Sequence, residues 1–273
     1  MINKILKFIL FRLKFLYAWI RDDKVRNISS RLRELEGRYS GERCFIMGNG
    51  PSLNEMDLGL LKDDKVWAFN RCYLLFDRIK WRPSFYVSVD TRVVPDNADE
   101  ISKLYKKLID TKFFFPKKFR IKGNLESSSN VYWYNEKKMT NRNLPYSSFS
   151  MDPAKYVRSV RTVTIAGLQL AVYLGFNPIY LIGCDTDYKI PDDVLYEDED
   201  KEKIVSLSDS DINHFDPDYF GKMKKYHQPF PERMIFHYKQ VKRVCDEQNV
   251  QIFNATVGGK LEVFPRVDYE DLF

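Results

Sequence analysis

RCFIMGNGPSLNEMD, residues 43–57, is the stretch from which the fold can be read. An apolar run, Cys44 to Met47, breaks at once into Gly48, Asn49, Gly50, Pro51 and Ser52, and a polar segment with helical character follows. The first strand of an open α/β sheet delivers a tight turn in this way to the crevice at its carboxyl edge. Gly48 and Gly50 are expected to permit positive φ and close approach of a ligand, while Asn49 and Ser52 add side-chain groups for a phosphate or ribose. The turn therefore reads as a nucleotide cradle; the alternative is an ordinary strand-to-helix turn with Ser52 as its N-cap.

Working outward, the run 65–69 closes with Asn70 and the run 83–90 ends on Asp90, so two further strands finish on polar residues where such a sheet builds its site. A helix is expected over about 98–108, an apolar run at 112–116 and a β-like run at 130–134. FPKKFRIKGN between the last two reads as a solvated basic connector, and residues 139–153 as a loop bordering the site. The second organised unit is SVRTVTIAGLQLAVYLGFNPIYLIGCDTDY, residues 159–188. Thr162 or Thr164 caps a helix that Gly175 ends, and a buried strand over 178–182 opens onto Gly183, Cys184, Asp185, Thr186, Asp187 and Tyr188. Residues 190–213 form an acidic insertion suited to a lid or exposed loop. A dense polar cluster follows, with His214, Tyr219, Lys222, Lys224, Lys225, Tyr226 and His227, then a helix over 232–248 and a strand over 250–254. The whole predicts an α/β body over residues 40–273, one doubly wound, mostly parallel, Rossmann-like sheet with no internal boundary.

With 273 residues and 44% hydrophobic content the chain can bury a sizeable core. The net charge of +6 is spread along the sequence, whereas a nucleic-acid binder concentrates its cations, so an anionic ligand or membrane surface is the expected partner, not nucleic acid. Cys44, Cys72, Cys184 and Cys245 lie far apart without a CxxC pair and read as buried free thiols of a reducing cytoplasm. Residues 1–39 are set apart as an amphipathic helix and a linker helix over 28–39. In MINKILKFILFRLKFLYAWIRDD, residues 1–23, the cations are too frequent for a membrane span. At 100° per residue Lys4, Lys7, Lys14 and Arg21 share one face, with Arg12 the exception, while Phe8, Phe11, Phe15, Trp19 and their Leu and Ile neighbours fill much of the rest, the pattern of a helix lying in an anionic bilayer interface. Packing on the protein's own core or on a second subunit is the alternative, and a homo-oligomer stays open.

Among the three histidines, His237 sits in a helical register where a packed or surface role is expected. His227 stands beside Tyr226 and Lys225 at the entry to a helix, where an imidazole suits general acid–base work. GNGPSL after the first strand, Asn70 after the second, a T-x-T helix followed by NPIYLIGCD, and a late histidine entering a helix together resemble the bacterial sialyltransferase-like glycosyltransferases, a group that includes the motility-accessory-factor flagellin glycosyltransferases. The resemblance covers roughly residues 40–255. The same core is similar to the 6-hydroxymethylpterin diphosphokinase-like domain, which shares the glycine turn and the GxD strand end.

The sialyltransferase resemblance implies a glycosyltransferase that binds a CMP-activated 2-keto acid sugar across the strand ends and passes the sugar to a glycan or lipid-linked acceptor in surface polysaccharide assembly. It implies nucleotide contacts from Asn49 and Asn70, donor contacts around Ser52 and Thr162 to Thr164, and His227 as general base. Gly48, Gly50, Asp90, Gly183, Asp185 and His214 complete the expected donor side. Tyrosyl hydroxyls that assist the departing phosphate map to Tyr188, offset by about one position, with Tyr219 or Tyr226 as substitutes. No cofactor is expected on this reading, and the enzyme is placed in the cytoplasm, peripheral to the inner face of the membrane. The diphosphokinase likeness instead implies Mg²⁺ held by Asp185 and Asp187, with Asp90 able to join them. A nucleotide-binding scaffold without catalysis is the third reading.

Overall fold

The strands arise from short apolar runs that end in turn residues, and their continuous hydrophobicity reflects burial on both faces. The computed structural model describes residues 28–138, 148–160, 162–189, 193–199 and 201–273. Its strands are β1 (Cys44–Met47), β2 (Val66–Phe69), β3 (Phe85–Val87), β4 (Lys112–Pro116), β5 (Val131–Tyr134), β6 (Glu136–Lys138), β7 (Val157–Ser159), β8 (Ile179–Ile182), β9 (Val194–Tyr196), β10 (Lys203–Ser206), β11 (Lys225–His227) and β12 (Ile252–Asn254). The main sheet runs β12-β8-β1-β2-β3-β4-β5, and every pairing in it is parallel. The chain leaves β1 toward β2 on one side and returns to β8 on the other, so a topological switch point lies at the carboxyl ends of β1 and β8.

Alternate side chains divide between two cores. Cys44, Ile46, Trp67, Phe69 and Phe114 enter one, and Phe45, Met47, Ala68, Phe113 and Phe115 the other. The helices are α1 (Ile28–Arg33), α2 (Val93–Asp96), α3 (Ala98–Lys107), α4 (Phe119–Lys122), α5 (Val163–Tyr173) and α6 (Pro231–Glu247). Leu32 of α1, Leu168 of α5 and Val241 of α6 cover the first face, and Ile101 and Tyr105 of α3 the second. The architecture is thus α/β and doubly wound, as the sequence predicts.

The linker helix packs on the body: Leu32 and Leu35 are buried and Arg31 donates to the carbonyl oxygen of Val131 at 2.9 Å. Two local expectations need correction. The helix expected after the glycine turn is two 3₁₀ segments, Pro51–Glu55 and Leu58–Asp63; the Asp57 carboxylate caps the second by accepting from the amide of Gly59. The acidic insertion is also not a plain loop. Its β9 and β10 join β11 in an antiparallel sheet, Ile204 opposite Tyr226 and Lys203 opposite His227, with Ile204 and Val205 buried. Two apolar residues in a charged run give no periodic signal, and their partner lies 22 positions along the chain. The amphipathic helix expected in residues 1–23 and the stretch 139–147 of the expected loop lie outside the described residues. Among the described residues no helix is long and apolar enough to cross a membrane.

Candidate active site

The carboxyl ends of β1, β2, β3 and β8 open onto one cavity of about 920 Å³, ample for a nucleotide joined to a sugar. Gly48, Asn49, Asn70, Asp90, Thr162, Thr164, Gly183, Tyr188, His214, Tyr219, Tyr226 and His227 all border it. Gly50, Ser52, Asp185 and Asp187 do not.

The reason lies in how the glycine turn is built. The Gly48 amide donates to the carbonyl oxygen of Ile182 at 2.8 Å and the Gly50 amide to that of Gly183 at 2.9 Å. A Cβ on Gly48 would sit 2.2 Å from the Gly183 oxygen, and one on Gly50 would sit 1.7 Å from Asp185 Oδ2. The close approach that demands glycine is therefore to the end of β8, not to a ligand. Gly50 has φ −70°; the positive φ expected in this turn falls instead on Gly183, at 61°, and on Asn70, at 48°. The Ser52 hydroxyl donates to Asp185 Oδ2 at 2.8 Å and its amide to Oδ1 at 3.2 Å. Asp185 thus closes the turn against β8. Burial pushes its carboxyl above the ordinary value, only partly offset by Ser52.

What the turn presents to the cavity is Asn49, whose Oδ1 is buried without a partner among the described residues. Such an atom costs about 1–3 kcal/mol until a donor meets it, so it is poised for a ligand N–H or O–H. Asn70 is pinned by the hydroxyls of Ser88, which donates to Oδ1 at 2.7 Å, and Tyr86, which donates to its carbonyl at 2.6 Å. With Oδ1 occupied, the amide nitrogen is the group it offers. Thr162 caps α5 by accepting from the Thr164 amide at 3.4 Å, which brings the positive end of that helix to the cavity wall.

Asp90 proves to be the partner of His227. Its Oδ1 accepts from the amides of Arg92 and Val93, at 2.6 and 3.2 Å, and its Oδ2 lies 2.9 Å from His227 Nδ1. Burial alone would raise this carboxyl; the hydrogen bond and charge of His227, with the two amides, outweigh it and hold Asp90 below its ordinary value. With Nδ1 committed to the carboxylate, Nε2 is the ring nitrogen left for a ligand in the cavity that His227 borders. A second pair joins His214 Nδ1 to Asp211 Oδ2 at 2.7 Å. His237, read from sequence as a packed or surface residue, is buried, bonds Ser148 at 2.8 Å through Nδ1, and also borders the cavity.

Burial raises the phenols of Tyr188 and Tyr219 well above the ordinary tyrosine value and that of Tyr226 to about 12, so each is a neutral hydroxyl donor at physiological pH. Tyr219 is the most constrained, its oxygen accepting from the Arg71 amide at 3.4 Å. Lys222, Lys224 and Lys225 do not border the cavity, and Lys225 turns to Glu197 at 3.5 Å. Asp187 pairs with Lys260 at 2.6 Å, so the two carboxylates of the DTD turn serve different partners. Among the described residues no three metal-ligating side chains converge. The sequence reading missed Asp211, three residues before His214, where helical i, i+3 spacing was a usable signal. It also missed Tyr238 at the cavity wall, where Thr162 and Thr164 lie within hydrogen-bonding reach of its hydroxyl.

A parallel doubly wound sheet with polar turns converging on a crevice at its switch point defines a doubly wound α/β protein with its cavity where such folds bind ligands. A family model for 6-hydroxymethylpterin diphosphokinase MptE-like proteins matches residues 23–191, and the chain belongs to this MptE-like family. No curated protein matches it. Among solved structures, the chain is similar to the MAf glycosyltransferase from Magnetospirillum magneticum AMB-1, at 15% identity and TM-score 0.48, over 91% of this chain and 39% of that one. It is also similar to the sialyltransferase CstII from Campylobacter jejuni in complex with cytidine-5'-monophosphate, at 12% identity and TM-score 0.46, over 84% of this chain and 85% of that one.

Proposed function

We propose that the protein is a glycosyltransferase that moves a sugar from a CMP-activated 2-keto acid donor to a hydroxyl of a glycan or lipid-linked acceptor. The observation that carries this reading is the Asp90–His227 pair facing Asn49 and Asn70 in one cavity. Asn49 Oδ1 and the amide of Asn70 hold the nucleotide. Asp90 fixes the imidazole so that Nε2 takes the acceptor proton as the hydroxyl attacks the anomeric carbon. The neutral hydroxyls of Tyr188 and Tyr226 and the amino end of α5 meet charge that builds on the departing phosphate.

The family match favours a second reading, a Mg²⁺-dependent diphosphokinase acting on a pterin alcohol. Such an enzyme must neutralise a polyphosphate. Among the described cavity residues, five carboxylates stand against four lysines and arginines, and Lys118 and Arg233 already pair with Glu136 and Glu202, at 2.5 and 3.0 Å. That balance suits one phosphate better than three. The carboxylates of the DTD turn also do not fit a resident metal, since Asp185 and Asp187 are tied to Ser52 and Lys260.

Calorimetric titration with CMP, CDP, UDP, GDP and ATP, each with and without Mg²⁺, tests the choice. Metal-independent CMP binding is expected. ATP binding that requires Mg²⁺ would overturn the glycosyltransferase in favour of the kinase, and failure to bind any nucleotide would favour a scaffold.

A further inference from the structure

Three amides of the glycine turn are turned away from a donor phosphate. Those of Gly48, Gly50 and Ser52 are all spent on β8 and Asp185. Of the four cations that border the cavity, Lys118, Lys138, Lys189 and Arg233, two are held by carboxylates, Lys118 by Glu136 and Arg233 by Glu202. The hydroxyls of Tyr188 and Tyr226 and the end of α5 bring no full positive charge to the leaving phosphate, and the titratable side chain beside the turn is His214.

Three contacts fix the segment that carries it. The Phe215 amide donates to the carbonyl oxygen of Asn49 at 3.0 Å, and the Asn54 side chain donates to the carbonyl oxygen of Phe215 at 3.0 Å. Asn213 brackets Lys189, beyond β8, with its side chain accepting from the amide and donating to the carbonyl, both at 2.7 Å. The ring itself lies flat on Tyr219, with centroids 4.0 Å apart and planes 2° from parallel, and meets Phe220 edge-on at 5.1 Å. Asp211 Oδ1 accepts from the Asn213 amide at 2.8 Å and Oδ2 takes Nδ1 of His214 at 2.7 Å. Only Nε2 is left, on a side chain 14% exposed in the cavity wall.

We infer that His214, held by Asp211, is a second catalytic histidine, which as an imidazolium donates its Nε2 proton to the phosphate oxygen released from the sugar. The inference rests on the glycosyltransferase reading. The two histidine–carboxylate pairs stand at different strand ends: His214 is tied to the turn after β1, and His227 to Asp90 beyond β3. Two strand spacings separate those ends, roughly 10 Å, room for a sugar ring between them. In the step, the acceptor oxygen bonds to the anomeric carbon and its proton passes to His227 Nε2. The bond from that carbon to the phosphate oxygen breaks, and the oxygen takes the proton of His214. Like pairs thus take opposite roles because Nε2 faces a hydroxyl in one and a dianionic phosphate in the other. Tyr219, whose hydroxyl oxygen accepts from the Arg71 amide, serves as the platform under the ring.

Phosphate recognition can be read without turnover by comparing cytidine with CMP on the full chain. Wild type is expected to prefer CMP. His214→Gln should weaken CMP by about tenfold or more, the worth of a charge-assisted hydrogen bond, and leave cytidine within about twofold. Asp211→Asn, which keeps the imidazole but removes its carboxylate, should lose part of the same preference, and bound CMP should show a shifted phosphorus resonance in both variants. A preference for CMP that survives in both variants, or equal weakening of cytidine and CMP, would overturn the role of His214 while leaving the nucleotide reading intact. A wild type that binds neither ligand would overturn that reading and this inference together.

Discussion

Asp90 divides its carboxylate between the chain and the imidazole, one oxygen capping the turn at Arg92 and Val93 and the other holding His227. Removing the base should cost transfer far more than binding. His227→Ala is expected to keep nucleotide affinity and lose about 10²- to 10⁴-fold in kcat, and unchanged turnover would remove His227 as the base. Asp90→Asn should lower kcat by less, with KM kept, because the imidazole remains but its orientation is no longer enforced. The carboxylates also predict opposite pH effects on stability. Asp90 is held below its ordinary value, so its contribution is present above the unfolded carboxylate pKa of about 3.9 and is lost as pH falls through the lower folded value. Asp185 is raised, so its contribution is present below that unfolded pKa and is lost as pH rises through the folded value. Melting curves taken from the acid range up to neutral pH should show Asp185→Asn gaining on wild type as pH rises and Asp90→Asn falling behind it. The same trend in both variants would contradict these assignments.

At the scale of the elements, the β1 turn and the end of β8 form one unit. Gly48→Ala would force a Cβ into the backbone oxygen of Gly183, and the expected loss is about 3 kcal/mol, the upper range for overpacking. Gly37→Ala, where a Cβ meets nothing within 4 Å and only the φ of 61° is strained, should cost clearly less in the same denaturation experiment. The parallel strands were legible in the sequence because each is a short apolar run closed by a polar turn, and the order of glycine turn, Asn70, Asp90 and Asp185 followed from that alone. The pairings were not. Asp90 and His227 lie 137 positions apart, and no local pattern says which carboxylate a histidine meets. Nor could the sequence tell that Asp185 faces Ser52 and away from the cavity, since a GxD strand end looks the same whether the acid binds a ligand or closes a turn. The sheet that carries His227 was hidden for a further reason: β10 is four residues long, and its stability comes from pairing with distant β11 rather than from its own composition.

For the proposed lipid-linked acceptor, residues 1–21 are the segment of the sequence suited to hold the cavity at a membrane surface. At helical spacing Lys4, Lys7, Lys14 and Arg21 share a face that Arg12 does not join, and Leu and Ile residues lie opposite it. Apolar insertion and attraction to anionic headgroups act together in such a segment, each cation contributing about 1 kcal/mol near a charged surface. Deleting residues 1–21 should therefore release the protein from vesicles containing phosphatidylserine while nucleotide affinity in the cavity stays unchanged. The intact chain should bind neutral phosphatidylcholine vesicles far more weakly and lose binding to the anionic ones as salt rises through the range where the Debye length falls below about 10 Å. Cosedimentation of the truncated chain with anionic vesicles at the level of the intact one would assign the membrane contact to the folded body instead, and equal binding to neutral vesicles would rule out the electrostatic half of the attachment.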